Sequence, residues 1–353
     1  MPERFYQSQA SLRMRLKAAN RQQGFRARTV EEWRAWHAML SGTLRQLLGV
    51  DRMVPTELTP RVMETVQLDG YRRERVEIDT EPGVTMPLYA LIPDDLRETA
   101  PAVLAPHGHS SGGKFAPAGR VDIPEIARTV AQHNYDYGVQ AVRRGYVVFC
   151  PDARGFGERR ESFYEQREQL LESSCRQLAH MGLPLGLTVA GMWAWDLSRL
   201  IDYVLTRPEC QGQPIGCIGL SGGGLQTLYL AGLDERVACA VISGYFYGVD
   251  DSLLYLSNNC DCNYVPHLWE HIDMGDLGAL IAPRPLLIEA ARQDELNGPR
   301  GIVNVLEQFE ITRSAYRLLN VEERIAIDTF DGGHIWHGTV AFDWLARWLR
   351  GSH

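Results

Sequence analysis

Residues 214–227 read Pro-Ile-Gly-Cys-Ile-Gly-Leu-Ser-Gly-Gly-Gly-Leu-Gln-Thr. Ile215, Cys217 and Ile218 form an apolar run of strand length, and Leu225, Leu228, Tyr229 and Leu230 begin a helical pattern. Between them lies Gly219-Leu220-Ser221-Gly222-Gly223, a Gly-x-Ser-x-Gly turn. A serine on so sharp a strand-to-helix turn needs neighbours without Cβ atoms, because the two backbones pass very close. The turn lifts the Ser221 hydroxyl clear of the sheet. It also aims the Gly222 N–H, at a helix N-terminus, toward the place where an oxyanion would form. A glycine-rich turn can hold a serine without using it. The functional reading therefore needs a base, an acid and a second oxyanion donor from elsewhere.

Outward from this turn, short apolar runs alternate with helical patterns. Strands are expected at Val76–Ile78, Val84–Ile92, Pro101–Pro106, Tyr146–Cys150, Ile215–Leu220, Val237–Ser243, Pro285–Ala290 and Arg324–Phe330. Helices are expected to end at Gln140–Arg144 and to cover Met192–Leu205, Leu225–Leu233 and Val340–Leu349. The first two strands alternate like antiparallel edge strands, and the later ones are solid apolar runs. That pattern predicts an α/β fold with a mostly parallel central sheet covered by helices on both faces. Ligands of such sheets bind at the carboxyl ends of the strands. Residues 1–65 differ in character and are expected to form a helical N-terminal extension to a catalytic domain at 66–350. Thr29 and Glu32 make a capping box. Trp33, Trp36, His37, Leu40, Leu44, Leu47 and Leu48 then recur at helical spacing up to Gly49, a stripe expected to pack on the main domain.

The 353 residues are 45% hydrophobic and 23% charged, with net charge −8, and the pI is about 5.7. This balance excludes a nucleic-acid footprint, and no apolar run reaches membrane-spanning length. Seven cysteines without framework spacing read as reduced thiols. With no apolar signal core at the start, a cytoplasmic location is expected; an export signal preceding this start is left open. Gly351-Ser352-His353 reads as the remnant of a purification tag.

The missing chemical groups have candidates. The Pro101–Pro106 strand runs into His107-Gly108-His109-Ser110-Ser111-Gly112-Gly113, whose free backbone N–H groups can point into a site. The His109 N–H is expected to pair with that of Gly222 as the oxyanion hole, with the rings of His107 and His109 holding the loop. In enzymes built on a Gly-x-Ser-x-Gly elbow the partners follow in the order Ser, Asp/Glu, His. His334, after Asp331-Gly332-Gly333, is the leading base, with His337 as rival. Asp294, just past the penultimate strand, is the expected acid, able to accept from His334 Nδ1–H. Glu295 is the fallback, Glu289 reads as a structural carboxylate, and Asp331 stands close to His334 in sequence. Tyr245, Trp269 and Trp336, with Phe246 and Tyr247, are candidates for the substrate wall. Asp152-Ala153-Arg154-Gly155-Phe156-Gly157 reads as a charged pair pinning a loop. No metal is expected: Cys260 and Cys262 lack a matching second pair, and the His107/His109 loop lacks carboxylates or thiolates at ligand spacing.

These segments resemble the α/β-hydrolase superfamily, and more narrowly the acetyl xylan esterase and dienelactone-hydrolase-like group. The resemblance rests on HGHSSGG (107–113), RRGYVVFCPDARGFGER (143–159), WAWDLSRLIDYVLTRPE (193–209), IGCIGLSGGG (215–224), APRPLLIEAARQD (282–294) and FDGGH (330–334). It covers about residues 100–340 and leaves the helical extension outside. It implies Ser221 as nucleophile, Asp294 as acid and His334 as base, with no cofactor and a small-molecule or saccharide ester as substrate, short acyl groups such as acetyl first among them. Two positions depart from the pattern. Ala290 and Ala291 stand where a glycine is usual, and Glu295-Leu296-Asn297-Gly298 replaces an apolar-proline segment, so the loop around Asp294 is expected to differ in shape. Dienelactone hydrolases proper use cysteine as nucleophile, so Ser221 points to an ester hydrolase. Two other readings fit the same residues: a peptidase or amidase on this triad, and a catalytically silent binding protein on a hydrolase fold. The sequence leaves a homo-oligomer open.

Overall fold

The computed structural model describes residues 6–19, 21–161 and 169–351. In chain order, helices α1 (Gln9–Ala19) and α2 (Val30–Leu48) precede strands β1 (Arg61–Leu68), β2 (Tyr71–Glu81), β3 (Val84–Pro93) and β4 (Ala102–Leu104). Then come α3 (Pro124–His133), α4 (Tyr137–Val142), β5 (Val147–Pro151), α5 (Cys175–Gly182), α6 (Val189–Val204), β6 (Ile215–Leu220), α7 (Gly222–Leu233) and β7 (Val237–Ser243). Two short helices, α8 (Leu253–Leu256) and α9 (Leu268–His271), lead to α10 (Met274–Ile281), β8 (Leu286–Ala291), α11 (Ile302–Leu318), β9 (Ile325–Phe330) and α12 (Ala341–Leu345). Ser352 and His353, on which the tag reading falls, lie outside the described residues.

The strands form one nine-stranded sheet in the order β1-β2-β3-β5-β4-β6-β7-β8-β9. The pairings of β1 with β2, β2 with β3 and β3 with β5 are antiparallel; from β5 to β9 all are parallel. The expected α/β-hydrolase architecture is therefore present. Side chains alternate between two apolar clusters: Leu104, Phe149, Cys217 and Ile242 face one, and Val103, Val148, Ile218 and Val241 face the other. The first cluster is covered by α2, α6, α7, α10 and α11, the second by α3, α4 and α12. Burial on both faces is the physical reason these strands read as unbroken apolar runs.

The N-terminal helices join the first cluster. Leu40, Leu44 and Leu48 of α2 are fully buried. Thr29 Oγ1 accepts from the Glu32 N–H at 3.2 Å, while Glu32 Oε2 reaches back to the Arg28 N–H, one residue before the cap. Gly49 ends the helix in the left-handed region at φ 78°. Leu48 O accepts from Thr188 Oγ1 at 2.9 Å, tying the end of α2 to the start of α6. Arg21 pairs with the fully buried carboxylate of Asp276 on α10 at 2.6 Å. The expected division at residue 65 falls inside β1. Among the described residues no helix is long and apolar enough to cross a membrane.

Candidate active site

Ser221 stands between β6 and α7 with φ 60° and ψ −121°, a backbone conformation a non-glycine residue holds only when its surroundings impose it. Those surroundings are backbone. A Cβ on Gly219 would meet the Gly223 carbonyl carbon at 2.3 Å, and one on Gly223 would meet Pro106 O at the same distance. The Gly222 N–H heads α7 and is one of the donors a helix leaves unpaired.

The candidate base and acid come from the ends of the last two strands. His334 Nδ1 and Asp294 Oδ2 are 2.7 Å apart, and the Asp294 side chain is only 3% exposed. Asp294 caps a one-turn helix at Glu295–Asn297, its Oδ1 accepting the Leu296 N–H at 2.9 Å. Asn297 Nδ2 closes the turn on Ala291 O at 2.8 Å. The segment that departs from the usual pattern is thus a rigid turn that locks the carboxylate toward the histidine. The His334 ring lies over Gly244, where a Cβ would come within 3.0 Å of Cε1. Its backbone carbonyl accepts from His133 Nδ1–H at 2.8 Å. Among the described residues neither Ser221 Oγ nor His334 Nε2 has a hydrogen-bond partner, so both are free to engage each other or a ligand.

The rivals are placed elsewhere. His337 also pairs with a carboxylate, Asp328, at 2.6 Å, but its ring stacks on Phe330 at 4.2 Å and it does not line the Ser221 cleft. Asp331 is 84% exposed and faces Arg292. Glu295 is exposed at the cleft edge. Glu289 is buried beneath Gly338, whose N–H it accepts at 2.9 Å. Burial pushes its carboxyl up to about 7.

Ser221, Gly222, His109, Asp294 and His334 line one cleft of about 700 Å³ at the carboxyl ends of β4, β6, β7, β8 and β9. Tyr245 and Tyr247, both wall candidates, line it too, whereas Phe246 is buried away from it. Trp269 and Trp336 do not: Trp336 is fully buried against Tyr137 and Phe342, and Trp269 lies by α1. An indole near a strand end can fill core as well as pocket, and here the core claimed both. Residues that sequence reasoning missed complete the wall: Gln132, His133 and Tyr135 at the end of α3, and Asn258, Asn259 and Asn263 from the loop after β7. Tyr135 Oη donates to His109 O at 3.3 Å and Tyr245 Oη to Asn263 Oδ1 at 2.7 Å. The amphipathic pattern of 124–133 marks a helix, yet nothing local to it points at the cleft.

The loop after β4 is held from beneath. His107 Nδ1 donates to Gly108 O at 2.8 Å and Nε2 accepts the Ala153 N–H at 3.1 Å, so the ring is neutral, and burial lowers its pKa to about 4. Gln226 Nε2 donates to His107 O at 2.7 Å. The fully buried Lys114 Nζ meets Asp152 Oδ2 at 2.5 Å and also Glu158. Asp152 Oδ1 accepts the Lys114 N–H at 2.7 Å. The expected charged pair therefore joins Asp152 to Lys114, whereas Arg154 turns to Asp196 at 2.8 Å and Glu81 at 2.7 Å.

Known proteins are similar to this chain in sequence and fold. YtaP of Bacillus subtilis (strain 168), assigned as a hydrolase, is 27% identical over 317 residues, 86% of this chain and 94% of its own. A Bacteroides fragilis NCTC 9343 protein assigned as an acetyl xylan esterase superposes with TM-score 0.73 at 19% identity, covering 93% of this chain and 83% of its own. Acetyl xylan esterase 1 from Thermoanaerobacterium sp. JW/SL YS485 superposes with TM-score 0.61 at 16% identity over 96% of this chain and 99% of its own. At these identities the two structures establish a common fold. The sequence profile of the Abhydrolase family runs from the N-terminal helices into the last strand, over residues 2–328, and the chain belongs to that family.

Proposed function

We propose that this protein is a serine carboxylic-ester hydrolase with the triad Ser221, His334 and Asp294. Ser221 Oγ attacks the ester carbonyl as His334 Nε2 takes its proton. The oxyanion rests on the N–H groups of Gly222 and His109, and Asp294 holds the imidazole in the Nδ1–H tautomer. The alcohol leaves with the proton from His334. Water, deprotonated by the same nitrogen, then hydrolyses the acyl-enzyme. The observation that carries this reading is the shared cleft of a strained Ser221 and a 2.7 Å His334–Asp294 pair. A wall rich in amides, with Gln132, Asn258, Asn259 and Asn263, suits a hydroxyl-rich alcohol. Together with the esterases among the structural neighbours, that supports short acyl esters of saccharides as substrates.

A fluorophosphonate probe tests the mechanism. It should label wild type and not Ser221→Ala, which should lose ester turnover by about 10⁴-fold or more, since triad members act as a unit. Labelling that survives the substitution would mean another nucleophile. Matched acetyl ester and anilide substrates then separate esterase from amidase.

A further inference from the structure

Beside the cleft lies a cluster of soft donor groups that the proposed hydrolysis does not use. Cys260 and Cys262 flank Asp261 at a single turn after β7, and their sulfurs and a ring nitrogen of His109 all lie within 4.8 Å of one another. His109 Nε2 and Cys262 Sγ are 3.5 Å apart. Cys175, the first residue of α5, neighbours these thiols without joining that group, on a helix that packs against their turn. Three segments distant in sequence thus gather two free thiols and one imidazole, with a third free thiol beside them.

Mutual hydrogen bonding is a weak reason for such convergence, because a thiol is a poor donor and a poor acceptor. Metal coordination is a strong one. A tetrahedral zinc ion with Zn–S of about 2.3 Å and Zn–N of about 2.0–2.1 Å sets a nitrogen and a sulfur ligand about 3.5 Å apart. That is the separation of His109 Nε2 and Cys262 Sγ. The surroundings also suit a metal: Asn263 Nδ2 donates to Cys262 Sγ at 3.5 Å and to Cys260 O at 2.9 Å, which orients the turn as outer-shell groups do.

We propose that Cys175, Cys260, Cys262 and His109 Nε2 form a closed four-ligand site for a soft divalent cation of the zinc class. Four protein ligands leave no open position, so the ion is structural and takes no part in ester cleavage. Its place gives it a consequence. With Nε2 on the metal, the remaining ring proton sits on Nδ1, the atom that a Cβ at Gly222 would meet at 2.9 Å. The ion would fix the loop that carries the His109 N–H against the nucleophile turn.

The test uses the full chain, reduced with a phosphine, stripped by a chelator and titrated with Co²⁺ and then Zn²⁺. One Co²⁺ per chain is expected, with the visible bands of a tetrahedral ion and thiolate charge transfer, displaced by Zn²⁺. Cys175→Ser and Cys262→Ser should each weaken binding by at least the 10–100-fold that outer-shell changes cost, and Cys210→Ser, a cysteine outside the cluster, should not. In unmutated protein Zn²⁺ should protect Cys175, Cys260 and Cys262 from alkylation, a readout independent of how the variants fold. No Co²⁺ uptake, a spectrum without thiolate charge transfer, or full affinity in the serine variants would overturn the proposal. So would a disulfide among these three thiols in a protein whose reduced form takes no metal. None of these measurements depends on turnover, and fluorophosphonate labelling of Ser221 is scored separately, so either reading can fail alone.

Discussion

Asp294 and Glu295 are neighbours with opposite fates, and the difference is backbone geometry. Asp294 faces inward as the cap of the Glu295–Asn297 turn, while Glu295 is exposed. Asp294→Asn keeps the shape but favours the wrong tautomer of His334, and the expected loss in kcat is about 10²- to 10⁴-fold. Glu295→Gln changes only long-range charge and should stay within about threefold. Steady-state kinetics of both variants at one pH decides between them, and a crippled Glu295→Gln beside an active Asp294→Asn would move the acid by one residue. Glu289 offers a different test. Its carboxyl is raised from 4.5 to about 7, first by burial, against the hydrogen bond from the Gly338 N–H. An unfolded chain therefore releases this proton at lower pH than the folded one. The stability it contributes is whole below about 4.5 and is lost as pH rises through about 7. Glu289→Gln should remove that fall. Urea unfolding at pH 5 and pH 8 should show the variant gaining on wild type with pH, by roughly 1–3 kcal/mol at the upper end.

Among the elements, the loops after β4 and β5 are joined by a buried charged cluster. Burial pulls the Lys114 ammonium down, Asp152 and Glu158 pull it up, and the net shift is upward. Removing one member is costlier than removing both, because an unpaired buried carboxylate has no solvent to turn to. Lys114→Met should destabilise the protein by about 3–5 kcal/mol in denaturant unfolding, and Asp152→Asn added to it should recover part of that loss. Equal damage from the single and double variants would show that the site is held by packing and not by the pair.

For the whole molecule, the question is how the N-terminal helices relate to the sheet. Leu44 is completely buried in the same apolar cluster as Phe149 and Ile242. Leu44→Ala should cost about 2–5 kcal/mol. The loss should appear in a single transition, followed alike by tryptophan fluorescence and by fluorophosphonate labelling of Ser221. Two separate transitions would make residues 1–65 an independent unit. The same scale shows what was legible beforehand. Strands β6 and β7 fall on the expected residues, because strands buried on both faces carry an unbroken apolar signal. Of the antiparallel pair expected to alternate, β2 does so in burial, whereas β3, third from the sheet edge, is buried on both faces from Met86 to Pro93. The strained Ser221 was legible because only small neighbours tolerate that turn.

By itself, then, the chain determined strands β2 to β9 in their order, the Gly-x-Ser-x-Gly turn and the short list of histidines and carboxylates, since all of these are written in local pattern and spacing, whereas β1 lay unseen in a stretch expected to be helical. Tertiary structure decided what local pattern leaves equal. His334 and His337 each have an aspartate within hydrogen-bonding distance, and only the path of the backbone after β9 turns one of them into the cleft. Trp336 and Tyr245 are both aromatic residues near strand ends, and packing sent one to the core and the other to the wall. Cys260 and Cys262 lacked partners in sequence, and folding brought them His109, with Cys175 nearby. The reason is common to all three: spacing along the chain specifies neighbours within an element, whereas meetings between distant elements depend on how helices close over both faces of the sheet.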